Sequence, residues 1–81
     1  MEHAFALIVF ARVVDSGSFS AAARQLGLSK GGVSKHVGRL EDRYGLRLLN
    51  RTTRRLSLTE AGRSVYERAA RVAEAPAADA A

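Results

Sequence analysis

Only Gly27, Leu28 and Ser29 separate two stretches that each carry a helical apolar pattern, and this short interruption constrains the fold more than any other feature of the chain. In FSAAARQL, residues 19–26, Phe19, Ala22, Ala23 and Leu26 fall at i, i+3, i+4 and i+7, the spacing that places apolar side chains on one helix face. In residues 30–44 the same kind of face is drawn by Val33, Val37, Leu40 and Tyr44. Gly27 is a helix stop. Ser29 is an N-cap, with Leu28 before it and Val33 after it at the two positions of a hydrophobic staple. Two helices joined by so tight a turn form a helix-turn-helix, and the small Ala22 and Ala23 let another helix approach closely.

The flanking segments extend this unit. A first helix is predicted from about Ala4 to Asp15, with Leu7, Phe10, Val13 and Val14 inward and Ser16-Gly17 as its stop; Ser18 then caps the second helix. The third helix stops at Gly45. Beyond it, Arg47 to Asn50 and Leu56 to Leu58 read as short extended pieces around the polar turn RTTRR, the outline of a β-hairpin wing. Thr59 caps a final helix over EAGRSVYERAARVAEA, which Pro76 and the alanine-rich tail end. The fold class expected is mostly α with a small β-hairpin: a winged helix-turn-helix over residues 1–58, then a linker or dimerisation helix and tail over 59–81. The final helix has a thin apolar stripe, Ala61, Val65, Ala69 and Val72, and so small a domain offers it little to pack on. Pairing with its twin in a homodimer is the expectation preferred over a frayed tail.

Composition narrows the function. A chain of 81 residues buries only about 60% of the surface its unfolded form exposes, which argues against a deep enclosed active site. The chain has no cysteine, so disulfides, thiolate metal sites and a thiol nucleophile are excluded, in keeping with a reducing cytoplasm. His3 and His36 have no metal-ligand spacing, and neither metal nor cofactor is expected. The apolar run at residues 4–14 is interrupted by Arg12. It is well short of the roughly 20 residues of a membrane span and lacks the basic leader of a signal peptide. Net charge is +5, but its distribution is uneven. From Leu28 to Leu58, Lys30, Lys35, Arg39, Arg43, Arg47, Arg51, Arg54 and Arg55 stand against Glu41 and Asp42, a balance of +6, while the rest of the chain carries −1. Such a segment suits a polyanion; a solvated cationic face is the plainer alternative.

The string GSFSAAARQLGLSKGGVSKHVGRLEDRYGLRLLNRTTRRLSLTEAG resembles the N-terminal DNA-binding domain of LysR-type transcriptional regulators. The likeness runs from Gly17-Ser18-Phe19 through Ala22-Ala23, Ser34, Leu40-Glu41, Gly45, Arg51 and Leu58-Thr59 to Ala61-Gly62. It implies a winged helix-turn-helix on double-stranded DNA, an AT-rich and two-fold symmetric operator, a dimerising linker helix, and a location in the bacterial cytoplasm at the nucleoid. It also implies a larger effector-binding domain that these residues do not include, so a small-molecule effector belongs to that missing part. The sequence departs from the family pattern at Gly31, Gly32 and Gly38, where Ser or Ala is more usual, and at Tyr44, usually Leu.

Those glycines are a puzzle, because each costs about 1 kcal/mol relative to Ala in a helix interior. On a helical wheel Val33, Val37, Leu40 and Tyr44 form the inner face, whereas Gly31, Lys35, Gly38 and Asp42 lie near the opposite pole with Ser34 and Arg39 on its flanks. Bare backbone at Gly31 and Gly38 would let the helix sink into a major groove about 12 Å wide, so that Lys35 and Ser34 reach base edges. Neutral drift at a tolerant exposed site is the competing explanation, and Gly32 lies off this face with no such rationale. Lys30 matches a base-reading position of the family. Ser18 and Ser20, at a helix N-terminus, suit a phosphate, though Ser18 has a capping role in any case. Arg51, Arg54 and Arg55 lie on the wing; by resemblance Arg54 enters the minor groove, and Arg51 is as well suited to anchoring the wing. His36 falls at the helix edge, as a packing residue or a phosphate contact.

Two other functional classes remain to be weighed. A winged helix also serves as a protein–protein or RNA-binding module, against which stand the basic segment and the outward Ser34-Lys35 pair. An enzyme is disfavoured: Ser34, Lys35 and His36 are consecutive, and neighbours on a helix diverge by about 100°.

Overall fold

The computed structural model describes residues 2–51 and 56–80, and the side chains of residues 4–50 and 56–71. The order is α1 (Glu2–Ser16), α2 (Phe19–Leu26), α3 (Lys30–Tyr44), β1 (Leu49–Arg51), β2 (Leu56–Leu58) and α4 (Glu60–Ala80). No described helix is long and apolar enough to cross a membrane.

The ends of α2 and α3 follow from local chemistry. Ser18 and Ser29 have extended backbones, and their hydroxyls accept from Ala21 N–H at 3.1 Å and Gly32 N–H at 3.0 Å, each satisfying an N–H that the first helical turn leaves without a partner. Gly27 stops α2 with φ +68, a left-handed conformation with little steric cost for glycine. Leu28 N–H then returns to Ala23 C=O at 2.9 Å. Gly45 ends α3 in the same way, with Leu46 N–H on Glu41 C=O. Both are the paired closing bonds of a Schellman motif.

The core gathers on α1, which is packed against α2, α3 and α4 at once. Three neighbours need a wide apolar face, and α1 supplies one: Ala6, Val9 and Ala11 are buried along with Leu7, Phe10 and Val13. Ala22 and Ala23 of α2 and Val33, Val37 and Leu40 of α3 close the helix-turn-helix side. Leu48 and Leu49 are both fully buried where the chain enters the hairpin. Two consecutive inward leucines do not alternate as a strand would, because Leu48 is buried in the core before the strand begins at Leu49. The two strands pair antiparallel, Leu49 with Leu58, Asn50 with Ser57 and Arg51 with Leu56.

Two expectations about α4 are corrected. Its backbone helix runs to Ala80, through Pro76. The proline removes one backbone donor, and here it does not end the helix. The stripe Ala61, Val65 and Ala69 faces the chain's own core rather than outward: Val65 and Ala69 are buried, and Ala61 packs against them half-buried. The physical reason is the extra width of α1, against which α4 lies. The Val72 side chain lies outside the described residues. A hydrogen bond from the Tyr66 hydroxyl to Asp15 Oδ1 ties α4 to the end of α1.

Candidate nucleic-acid interface

Helix α3 has two unlike faces. Inward, Val33, Val37 and Leu40 have lost all or nearly all contact with solvent, and Tyr44 is half-buried against the same cluster. Outward, Lys30, Gly31, Lys35 and Arg39 are exposed, with Ser34 and Gly38 half-buried at the margin. A Cβ built on Gly31 or on Gly38 meets no atom of the described residues within 4 Å, so none of these residues requires glycine at either position. Gly32 is different. A Cβ there would lie 3.2 Å from Ser29 Oγ, the atom that caps the helix through the Gly32 N–H. That contact is tight, but the cap does not call for glycine: Ala21 stands at the same position of the α2 cap and donates to Ser18 at 3.1 Å.

His36 is half-buried, and its ring meets Phe5 of α1 edge-on, with centroids 5.0 Å apart at 83°. That geometry is a favourable aromatic arrangement, and it makes His36 a packing residue between α1 and α3. At the start of α2 the Ser18 hydroxyl accepts the capping bond from Ala21, while Ser20 is exposed beside it. Arg51 belongs to β1 by its backbone; its side chain lies outside the described residues, as do Arg54 and Arg55 entirely.

The base of the hairpin is held by Glu41, to which sequence reasoning gave no role, and by Thr59, expected there as a helix cap. Glu41 Oε2 accepts from Leu48 N–H at 2.9 Å and from Leu49 N–H at 3.4 Å. Thr59 N–H donates to Leu48 C=O at 3.1 Å, and the Thr59 hydroxyl donates to Arg47 C=O at 2.6 Å while accepting from Gly62 N–H at 2.9 Å. Gly62 is a site of close approach: a Cβ there would lie 1.9 Å from the Leu48 carbonyl oxygen. In the sequence Glu41 and Gly62 are positions of the family resemblance, Glu41 as an acid within a basic segment and Gly62 as a glycine in the first turn of a helix, and neither signal pointed to the base of the wing. Among the described residues, no group of His, Asp and Glu is placed to hold a metal ion.

A helix-turn-helix whose second helix turns a basic, sparsely covered face outward beside a two-stranded wing is a known arrangement. The model of the bacterial regulatory helix-turn-helix protein, lysR family, matches residues 5–63. The chain belongs to the LysR family. Among its relatives is the HTH-type transcriptional regulator CrgA of Neisseria meningitidis, 54% identical over 72 residues, which are 89% of this chain and 24% of that protein. The HTH-type transcriptional activator AaeR of Escherichia coli is 52% identical over 67 residues, 83% of this chain and 22% of that one. The chain thus spans about a quarter of the length of these family members. The solved BenM_DBD/catB site 1 DNA complex has a protein chain of the same fold, with a TM-score of 0.87 at 27% identity over 95% of this chain and 86% of that one. The CbnR_DBD-DNA complex gives 0.84 at 31% identity, covering 95% of this chain and 88% of that one. The helices and hairpin described above are the winged helix-turn-helix of LysR regulators.

Proposed function

We propose that this chain is the DNA-binding end of a LysR-type transcriptional regulator and that it reads double-stranded DNA through the outward face of α3. The observation that carries the proposal is the asymmetry of that helix. Val33, Val37 and Leu40 on its inner face are buried, while its outer face presents exposed Lys35 between two glycines with open space beyond them. In the major groove, Lys35 and Lys30 would donate to guanine O6 or N7, and Ser34 to either kind of base. Gly31 and Gly38 would let the backbone come close enough for these short reaches, with Arg39 at the groove edge. Ser18 and Ser20 would hold a phosphate at the start of α2, where free N–H groups and the helix dipole favour an anion. Arg51 and Arg55 would bind the backbone from the wing, and Arg54 would enter a narrow AT-rich minor groove.

The operator proposed is AT-rich and two-fold symmetric, bound by a homodimer joined through α4. Because Val65 and Ala69 are committed to the core, the pairing surface must come from other parts of that helix; its sequence beyond Arg71, VAEAPAADA, is rich in small apolar residues. The relatives named above are transcriptional regulators by description, and the role proposed is binding rather than catalysis. It belongs at the nucleoid in the cytoplasm, with effector binding left to a domain beyond these residues. Selection of bound sequences from a random duplex DNA pool tests the proposal. The expected result is a two-fold symmetric motif with AT-rich flanks, bound with a log–log salt slope of about −0.9 per neutralised phosphate. No enriched motif together with a flat salt response would contradict it and favour a protein-binding module.

A further inference from the structure

We propose that Glu41 is a positioning residue for DNA recognition, holding the wing in a fixed relation to the helix that reads the bases. This rests on the reading of α3 given above. Glu41 lies near the C-terminal end of α3, on the same rigid element as Ser34 and Lys35. Its carboxylate Oε2 accepts from Leu48 N–H at 2.9 Å and Leu49 N–H at 3.4 Å, and Leu49 is the first residue of β1, paired with Leu58. A hairpin of two three-residue strands has little stability of its own, so its orientation is set by the packing of Leu49, Leu56 and Leu58 on the core and by the hydrogen bonds that grip its base. Thr59, at the start of α4, grips that base through Leu48 C=O and Arg47 C=O. Glu41 grips it from the reading helix itself. Hydrogen bonds to an ionised acceptor are shorter and stronger than neutral ones, which suits a joint that must transmit orientation.

Charge alone predicts the opposite role. Glu41 is one of two acids in a segment with eight basic residues, so on electrostatic grounds it opposes a polyanion. Removing its charge should then tighten binding to every duplex and steepen the salt dependence. Positioning predicts a selective loss. The wing would no longer reach its part of the site in register with α3, while bases read by α3 alone would be discriminated as before.

The test compares the parent with Glu41→Gln and Glu41→Ala, and with Val14→Ala in α1, which is partly buried against the core and distant in sequence from the hairpin. Affinity is measured for the duplex the parent selects from a random pool, for the same duplex with its AT-rich flanks exchanged for GC, and for random duplex, with a melting curve for each variant. For Glu41→Ala the expected result is a loss of about tenfold on the selected duplex, the effect of losing one well-placed contact, with the flank preference flattened and the central base preference kept. Glu41→Gln, which retains one acceptor oxygen, should fall between Ala and the parent. Val14→Ala should lose stability and keep the flank preference. The proposal is overturned if both Glu41 variants bind every duplex more tightly with an unchanged flank ratio. It is overturned equally if Val14→Ala flattens the flank preference to the same degree at similar melting temperature. Should Glu41→Ala fail to fold, Glu41→Gln decides by the same criteria. A parent that binds no duplex at all overturns the DNA reading beneath the proposal, and the proposal with it.

Discussion

Gly38 and Gly62 are both glycines inside helices, and their surroundings are opposite. At Gly62 a Cβ would sit 1.9 Å from the Leu48 carbonyl oxygen and 3.2 Å from Leu58 Cδ2; at Gly38 it would meet nothing within 4 Å. The first glycine is required by the fold, because the backbone of α4 touches the backbone entering the wing. The second is required by none of the described residues. A residue that costs about 1 kcal/mol in a helix interior and has no intramolecular reason to be there invites an intermolecular one. The base of the wing is therefore where this chain is built to be rigid, and the outer face of α3 is where it is left open.

The largest effect should come from closing the crowded site. Gly62→Ala forces α4 and the Leu48 carbonyl apart and strains the Thr59 cap that ends on Gly62 N–H. It should destabilise the fold by about 3 kcal/mol, at the upper end of overpacking costs, and lower the melting temperature by more than about 10 °C in a domain this small. A thermal melt followed by circular dichroism checks it. A loss of less than about 1 kcal/mol would mean that α4 can shift and that the two glycines differ less than their geometry indicates.

Next in size are effects on binding at the open site. Lys35→Ala should cost about 1 to 3 kcal/mol on the selected operator and relax the preference at the base it contacts. Arg55→Ala should weaken all sequences nearly equally and reduce the salt slope by about 1. Repeating the sequence selection with each variant distinguishes them, and an unchanged motif for Lys35→Ala would move the reading face elsewhere on α3.

Smaller still are the stability gains. Gly38→Ala should stabilise the free protein by about 1 kcal/mol, as expected for a helix interior position where a Cβ meets no described atom within 4 Å. Gly31→Ala and Gly32→Ala lie in the first turn of α3, where less is gained, and they sharpen the comparison between neighbours. Gly31→Ala should add a few tenths of a kcal/mol. Gly32→Ala should add no more than that, because Ser29 Oγ, 3.2 Å from its Cβ, has to give slightly, while the cap itself is kept as the Ser18 cap is on Ala21. Melting curves of the two variants recorded side by side test this, and an equal gain would show that the cap shifts freely.

The local parts of this fold were legible in the sequence. The limits of α2 and α3 follow from Ser18, Gly27, Ser29 and Gly45, each of which acts within a few residues of itself. The inner face of α3 followed from spacing alone, and so did the edge position of His36. What was not legible is nonlocal. Glu41 acts on Leu48 and Leu49 across a turn, and no periodicity announces a carboxylate that caps a strand. The stripe Ala61, Val65 and Ala69 looked too thin for a core because its partner surface is on α1. The signal was available in α1: Ala6, Val9 and Ala11 widen its apolar face beyond what α2 and α3 cover, and that excess predicts another helix against it. The wing tip, with Arg54 and Arg55, lies outside the described residues, so its part in the site rests on resemblance.

The central claim is that the outer face of α3 is bare because DNA occupies it. Gly38→Leu tests this most directly, since leucine is a good helix former and a Cβ at Gly38 meets no described atom within 4 Å. Melting temperature and the ratio of affinities for the selected operator and for random duplex are measured on one preparation of parent and variant. The account predicts a melting temperature equal to or above that of the parent, with a specific affinity lower by about 1 to 3 kcal/mol per displaced contact and a salt-dependent affinity for random duplex that is largely kept. A variant of equal stability that retains the parent's full preference for the operator would contradict it.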